Sequence, residues 1–397
     1  MTLNLRKGIQ KKFLIIASGI FSMLIMGTIY SWSVFRTPLE GLLTISTLQS
    51  GLPFIVFLAL YAFSMPLAGQ LIEKYKPAYV AIAGSVFLSL AYLLSGFCTN
   101  INQLVLTYGV LGGIGVGTLY GVPVAMASRW FPNSKGIATG AILLGFGVSP
   151  LITAPIASLL IDNYGVFGVF KILGISFLIL LPISSLFFSN PESYSNRKLE
   201  TNIQVENKPI TSNKNFYMLW LLFFIVTFAG LMTISITSPF SSQILSISNT
   251  DAAFFISMLA LLNGFGRLFF GFLIDKIGLH KSMFISYSLL LVSAILIANV
   301  TTYKPIQFSI SMAIMWGVFG SWLTIAPIAV NHLFGEIHAV KNYGKLFTAY
   351  GFGAIAGVTL ASKVLEITGS YQSVFYVVVA LSILGFFIIQ KLLIKKR

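Results

Sequence analysis

Negative charge is what this chain has least of. Only ten of its 397 residues are Asp or Glu, and none of the ten lies deeper than the end of a long apolar run. No carboxylate is therefore on hand at depth to neutralise a buried cation, coordinate sodium or shuttle a proton. Charge of either sign is sparse, at 9% of residues against about 25% in an ordinary soluble domain. Hydrophobic residues make up 56%, and the mean hydropathy is +0.90. Catalysis on a water-soluble core is excluded, and the chain reads as a polytopic membrane protein. The single cysteine, Cys98, excludes an intrachain disulfide and any Cys-cluster metal site; it reads as a small apolar filler. No Walker motif is present, so ATP does not drive the protein. Gly264-Phe-Gly266 lacks the βαβ context of a nucleotide loop. No His, Asp or Glu constellation sits within an apolar run, so neither an enzyme nor a cofactor is expected.

What is abundant is long apolar sequence. A helix needs about 20 apolar residues to cross a bilayer core about 30 Å thick. Twelve segments qualify: 13–35, 47–70, 79–97, 102–128, 136–161, 165–188, 216–243, 251–274, 282–300, 305–330, 344–367 and 371–392. The basic start MTLNLRKGIQKK precedes the first of them with no small-residue cleavage site after it, so span one is expected to be retained. The fold class expected is all-α, with twelve transmembrane helices in two six-helix bundles. Residues 189–215 are polar, rich in Asn and Ser, and read as a linker. The domains expected are an N-terminal bundle at 1–188, that linker, and a C-terminal bundle at 216–397.

The net charge of +15 is read by location rather than as a nucleic-acid signal. Twenty of the 25 Lys and Arg lie at one end of the spans, among them Lys74, Lys76, Arg129, Lys135, Lys276, Lys281 and Lys341. Four (Arg36, Lys171, Lys304 and Lys363) lie at the other. By the positive-inside rule both termini are expected in the cytoplasm, with the protein in the cell inner (plasma) membrane.

The remaining basic residue is Arg267, inside the run FFISMLALLNGFGRLFFGFLI at 254–274. Arginine stays protonated, and a charge at that depth costs about 2.5–3.5 kcal/mol on insertion scales. The alternative, snorkelling to the surface, would have to span about 12 Å. An unneutralised cation at mid-depth points instead to an anion that comes and goes, and its planar fork suits a carboxylate. Asn263 lies one turn earlier on the same face, able to orient the guanidinium or donate to a substrate. Counting along the helices brings other residues to this level. Arg267 precedes Asp275 by eight residues, Tyr120 precedes Arg129 by nine, Trp322 precedes Asn331 by nine, and Tyr350 follows Lys341 by nine. All four lie about 12–14 Å from the basic end. Tyrosine hydroxyls can hold carboxylate oxygens, and a Trp face can wall the apolar part of a ligand. Tyr30, nearer the other side, is a wall or gate candidate.

Several features have plainer readings. Gly113, Gly117 and Gly121 form a ladder suited to close helix contact. Lys363 and Glu366 read as a surface pair. His332 and His338 lie in a basic-end loop, with no metal or proton-relay role expected.

The halves echo each other. GQLIEKYKP at 69–77 follows span two and GFLIDKIGLHK at 271–281 follows span eight, each with a glycine, a carboxylate four residues on (Glu73, Asp275) and then a lysine. RWFPNSKGIATGAILLGFG at 129–147 is echoed by HLFGEIHAVKNYGKLFTAYGFG at 332–353. Repeated halves are usual in secondary transporters, with substrate held between them near mid-membrane. These loops resemble those of the major facilitator superfamily. Within it GTIYSWSVF, SRWFPNSKGIATG, NGFGRLFFGFLIDKIG and NYGKLFTAYGFGAI resemble the oxalate/formate antiporter group and its monocarboxylate-transporter relatives. The resemblance implies alternating access between two bundles, with Glu73 and Asp275 each capping a helix across the cavity as a conformational latch. It implies that Arg267 is the substrate-carboxylate arginine, and it adds weight to Tyr120 and Tyr350. Animal monocarboxylate transporters usually carry an aspartate where Asn263 stands. Dicarboxylate exchangers typically carry a lysine where FTAYG has Tyr350.

One cation suits one carboxylate. The function expected is secondary transport of small monocarboxylates (lactate, pyruvate or formate class) by proton symport or anion exchange, with no cofactor and no metal. The partners expected are a small organic anion with a proton or counter-anion, and the bilayer, the protein acting as a monomer. Alternatives are an oxalate-type dicarboxylate antiporter, an exporter of apolar compounds, and a non-transporting anion receptor.

Overall fold

Apolar runs of this length must satisfy every backbone N–H and C=O internally, so they fold as helices. The computed structural model describes residues 2–192, 194, 210–247, 249–301, 304–336 and 338–392, which are helical almost throughout and contain no strand. Most of the expected linker, 195–209, lies outside the described residues, as do Lys395, Lys396 and Arg397 of the tail. The protein is an all-α membrane protein.

Among the described residues, eleven helical runs are long and apolar enough to cross a membrane. One of them, Lys135–Ser185, runs for 51 residues and is broken at Gly165, where φ is +68° and ψ 163°. Only glycine adopts that backbone without strain, so the helix is two crossings, spans five and six, and the twelve expected spans are all present. Span one is less regular than expected. It consists of Thr2–Met26, a 3-10 turn at Gly27–Ser31, and Trp32–Leu43. The turn falls where span one packs tightly on span five: a side chain at Gly27 would come within 2.5 Å of the Phe146 carbonyl oxygen and of Ser149 Cβ.

The other helices start where local chemistry supplies caps. Thr47–Lys74 (span two) opens on a capping box between Ser46 and Gln49, which satisfies two otherwise orphaned donors. Pro77–Ser95 (span three) has proline in its first turn, where the missing N–H costs nothing. Ile101–Trp130 (span four) starts at Asn100, whose side chain accepts from Gln103 N–H, and passes through a π-helical stretch at Val105–Leu111. Between spans three and four Cys98 is buried, and burial pushes its thiol pKa above the ordinary cysteine range. Spans seven to twelve are Lys214–Leu245, Asn249–Ile277, Leu279–Ala298, Pro305–Phe334, Ala339–Thr368 and Gln372–Lys391.

Two pairs of helices carry most of the packing between the first six spans and the last six: span five against span eight, and span two against span eleven. Both are close. A side chain at Gly136 would run into the Gly271 carbonyl, and one at Gly271 into that of Gly136. At the second crossing Gly69 faces the Lys341 backbone and Gly344 faces the Met65 carbonyl. The glycine ladder of span four lets span two approach: Gly113 packs on the Phe57 carbonyl and Gly117 on that of Tyr61. Large apolar side chains such as Leu159, Leu186, Phe265 and Phe387 remain exposed on the outside, where lipid is their solvent.

Candidate functional site

Arg267 is fully buried. Its Nη2 donates to Asn263 Oδ1 at 3.0 Å, and its Nη1 reaches across to span five to donate to the Leu143 carbonyl at 3.0 Å. The guanidinium carbon lies 5.5 Å from the centre of the Phe146 ring, a favourable cation–π distance. Its Nε–H is buried with no partner. A guanidinium carries five N–H donors, two of which these bonds engage. Asn263 is engaged at both ends of its amide, since its Nδ2 donates to the Trp316 carbonyl at 3.1 Å. In this state it orients the arginine rather than facing a ligand.

Around this cation stands an aromatic wall drawn from both halves. Tyr30 of span one and Tyr350 of span eleven share a hydroxyl–hydroxyl hydrogen bond of 3.1 Å. Tyr120 packs edge-on against Tyr61 (5.3 Å between centroids) and Phe146 (5.7 Å). Phe347 stacks on Tyr350 at 4.8 Å and meets Tyr61 at 5.0 Å and Tyr343 at 5.5 Å. The charge of Arg267 acts on the hydroxyls of Tyr30, Tyr120, Tyr343 and Tyr350. Two of these, Tyr120 and Tyr343, are buried with no hydrogen-bond partner. A buried unsatisfied polar group is costly, and here three gather in one place: two hydroxyls and Arg267 Nε.

Of the residues singled out in the sequence, Arg267, Asn263, Tyr120, Tyr350 and Tyr30 come together. Tyr30 is nearer the cation than its place in the chain implied, because its ring turns inward from the 3-10 turn to reach Tyr350. Trp322 stands apart from this cluster. Its Nε1 donates to Ser286 Oγ at 2.7 Å, and its ring packs on Tyr287 (5.5 Å) and Phe223 (6.4 Å). It faces spans seven and nine, one layer behind the cluster. Sequence reasoning passed over Tyr61, Tyr343, Phe146 and Phe347. Tyr343 and Phe347 precede Tyr350 by seven and three residues, one helical face that could have been read; Tyr61 and Phe146 carry no such signal.

At the basic end the two acids, each in the last turn of its helix rather than in a loop, reach across to the other half. Asp275 Oδ1 accepts from the Gly136 N–H at 2.9 Å and Oδ2 from the Ile137 N–H at 2.8 Å. These are orphan donors at the start of span five, where a carboxylate is favoured. Glu73 Oε1 lies 3.1 Å from His338 Nδ1, just before span eleven begins. Lys135 adds an ion pair with Glu336 at 3.0 Å and a hydrogen bond to Asn331 at 3.3 Å. His338, Lys135 and Glu336 were not foreseen in these roles. Among the described residues no group of His, Cys, Asp and Glu is placed to hold a metal.

Known proteins are similar to this chain. The chain is 26% identical to the oxalate:formate antiporter of Oxalobacter formigenes over 379 residues, covering 94% of this chain and 89% of that one. It is 25% identical to monocarboxylate transporter 12 of Xenopus laevis over 324 residues, 74% of this chain and 69% of the other. The structure of the proton:xylose symporter XylE bound to 6-bromo-6-deoxy-D-glucose superposes with a TM-score of 0.81 at 13% identity, covering 98% of this chain and 97% of that one. The likeness to XylE concerns the fold alone. The family model of the Major Facilitator Superfamily matches residues 13–334, from span one through span ten, taking in the acid of each half and the arginine between them. Twelve spans, echoed halves and that match together place the chain in the major facilitator superfamily, a family of transporters.

Proposed function

We propose that the protein is a secondary transporter of small monocarboxylates of the lactate, pyruvate or formate class, working by alternating access with proton symport or anion exchange. The observation that carries this reading is Arg267, fully buried with its Nε–H unpartnered beside the unpartnered hydroxyls of Tyr120 and Tyr343. A carboxylate arriving there would accept from the guanidinium edge and from the hydroxyls, and would cancel the buried charge. It would also compete with Leu143, whose neutral carbonyl is a weaker acceptor. Tyr350 supplies a hydroxyl where a second cation would serve a dianion, and an uncompensated second carboxylate would be costly to bury.

In this reading Tyr30 and Tyr350 close the site on one side and Asn263 holds the arginine. Trp322 supports the wall from behind rather than touching the ligand. Glu73 and Asp275 latch the basic end, which faces the cytoplasm together with both termini. Residues 1–188 and 216–397 are the two rocking bundles, joined by 189–215, in a monomer of the plasma membrane. Exchange of a dicarboxylate is the second reading, favoured by the similarity to the oxalate:formate antiporter; formate belongs to both.

Uptake of radiolabelled formate, lactate, pyruvate and oxalate into proteoliposomes decides between them. Monocarboxylates should enter saturably, faster as external pH is lowered or when unlabelled substrate is inside. No acidic group stands in the core to bind sodium, so a proton must ride on the substrate or a second anion must release it. Strong oxalate uptake with which lactate and formate fail to compete would refute the monocarboxylate assignment. Stimulation by an inward sodium gradient alone would refute the coupling.

A further inference from the structure

Arg267 is not the only buried arginine. Arg129, in the last turn of span four, is 4% exposed. Its Nη1 donates to Asn190 Oδ1 at 2.6 Å, and its guanidinium carbon lies 4.1 Å from the centre of the Tyr194 ring. Among the described residues no carboxylate stands within ion-pair distance of it. Glu73 and Glu336 act on it only from farther off, and each is already engaged, by His338 at 3.1 Å and by Lys135 at 3.0 Å.

Arg129 lines a small chamber between spans four, ten and eleven with Ser128, Asn331, Glu336 and Tyr343. Its volume is about 20 Å³, room for one water. The Tyr343 hydroxyl, buried and unpartnered, belongs both to this chamber and to the cluster around Arg267. Tyr120 and Arg129 are nine residues apart on one helix, about 13 Å along its axis. The chamber thus lies directly below the central site, towards the basic end, and Glu336 and Asn331, both held by Lys135, form its floor.

Resting on the transport reading above, we propose that this chamber, widened when the basic end opens, is a second anion station. The substrate carboxylate passes from Arg267 past the Tyr343 hydroxyl to Arg129 before reaching water. An anion leaving Arg267 without such a station would cross that stretch with its charge uncompensated, which low-dielectric surroundings make costly. A second guanidinium divides the stretch into two shorter ones. The competing role for Arg129 is a clamp: with Trp130, whose Nε1 donates to the Ser189 carbonyl at 2.6 Å, it pins Ser189, Asn190 and Tyr194 to the end of span four.

The test is equilibrium binding of radiolabelled pyruvate to purified, monodisperse protein carrying Asp275→Asn and Glu73→Gln, which frees the basic end. In that background Arg267→Gln should weaken binding but leave a saturable remainder. Adding Arg129→Gln should weaken the remainder by about tenfold or more, the loss of a charge-assisted contact. Arg129→Lys should keep most of it, and Tyr343→Phe, which removes only the hydroxyl, should weaken it by about threefold. Asn190→Ala, which breaks the clamp, should change it less than about twofold. The station is overturned if Arg267→Gln alone removes all saturable binding, or if Asn190→Ala matches Arg129→Gln. Failure of the transport reading looks different: formate, lactate and pyruvate would then all fail to bind the unaltered protein, or would bind Arg267→Gln as tightly as the parent.

Discussion

The two crossings that join the halves are built to one plan with different materials. At the crossing of spans five and eight, glycine meets glycine and Asp275 accepts two backbone N–H groups. At the crossing of spans two and eleven, the glycines face backbone too, but Glu73 meets a side chain, the His338 imidazole. Backbone donors at a helix start are permanent and fixed in direction, whereas an imidazole on a loop can turn away. The arginine also sits on the first crossing, tied to span five through Leu143. In the transport reading proposed above, the first crossing therefore carries both the ligand contact and the stiffer closure, and the second carries the aromatic wall and the more adjustable one.

The largest effect expected on this contrast is at Arg267. Arg267→Ala should abolish saturable carboxylate uptake in proteoliposomes while the protein still inserts and purifies as a monodisperse species. Arg267→Lys keeps the charge but not the fork, so uptake should be strongly reduced rather than normal. Normal uptake by Arg267→Ala would sink the assignment of the site.

Next comes the glycine contact. Gly136→Val places a branched side chain against the Gly271 carbonyl, so the basic end should be held apart. Cysteines placed near Asn331, in a Cys98→Ala background, should then react with maleimide at least about tenfold faster, a shift of about 1.4 kcal/mol in the closing equilibrium. Unchanged reactivity would mean that the contact is not part of closure.

The acids should rank in the same order. Asp275→Asn loses two charge-assisted bonds and should open the basic end by about tenfold by the same labelling. Glu73→Gln can still bond to His338 and should open it by about threefold or less. Equal effects would erase the difference between the crossings. Tyr350→Lys should move preference towards oxalate-sized dianions, measured by competition against labelled formate. The smallest effect is expected of Tyr30→Phe, which removes one neutral hydroxyl–hydroxyl bond, worth about 1 kcal/mol; it should change uptake by less than about tenfold.

Depth along the membrane was legible in the chain, and direction around each helix was not. Counting back from basic ends put Arg267, Tyr120, Tyr350 and Trp322 at one level, because rise per residue is constant. Span ten, however, is apolar on every side, so nothing in its pattern says that Trp322 turns to Ser286 while its neighbours in depth turn to Arg267. Asn263 could be read because it sits four residues before a charge on the same helix. Tyr61 and Phe146 could not, because they meet the site only through the packing of spans two and five. The break between spans five and six was placed within a few residues, yet only the backbone at Gly165 shows how one long helix becomes two crossings. The ties from Lys135 to Glu336 and from His338 to Glu73 join residues some 200 to 265 positions apart, and nothing local announces either.

The tie between Arg267 and Leu143 sets how voltage enters the cycle. A peptide carbonyl is neutral, so the empty carrier keeps a full positive charge at mid-membrane, with no acid among the described core residues to offset it. In the exchange mode proposed above, a bound monoanion cancels that charge, and the loaded carrier crosses as a neutral body. Membrane potential, worth about 2.3 kcal/mol per elementary charge per 100 mV, then pulls on the unloaded return and hardly at all on the loaded passage. A carrier of this kind moves most readily when it never travels empty, and an electrode should register its idle steps more than its working ones.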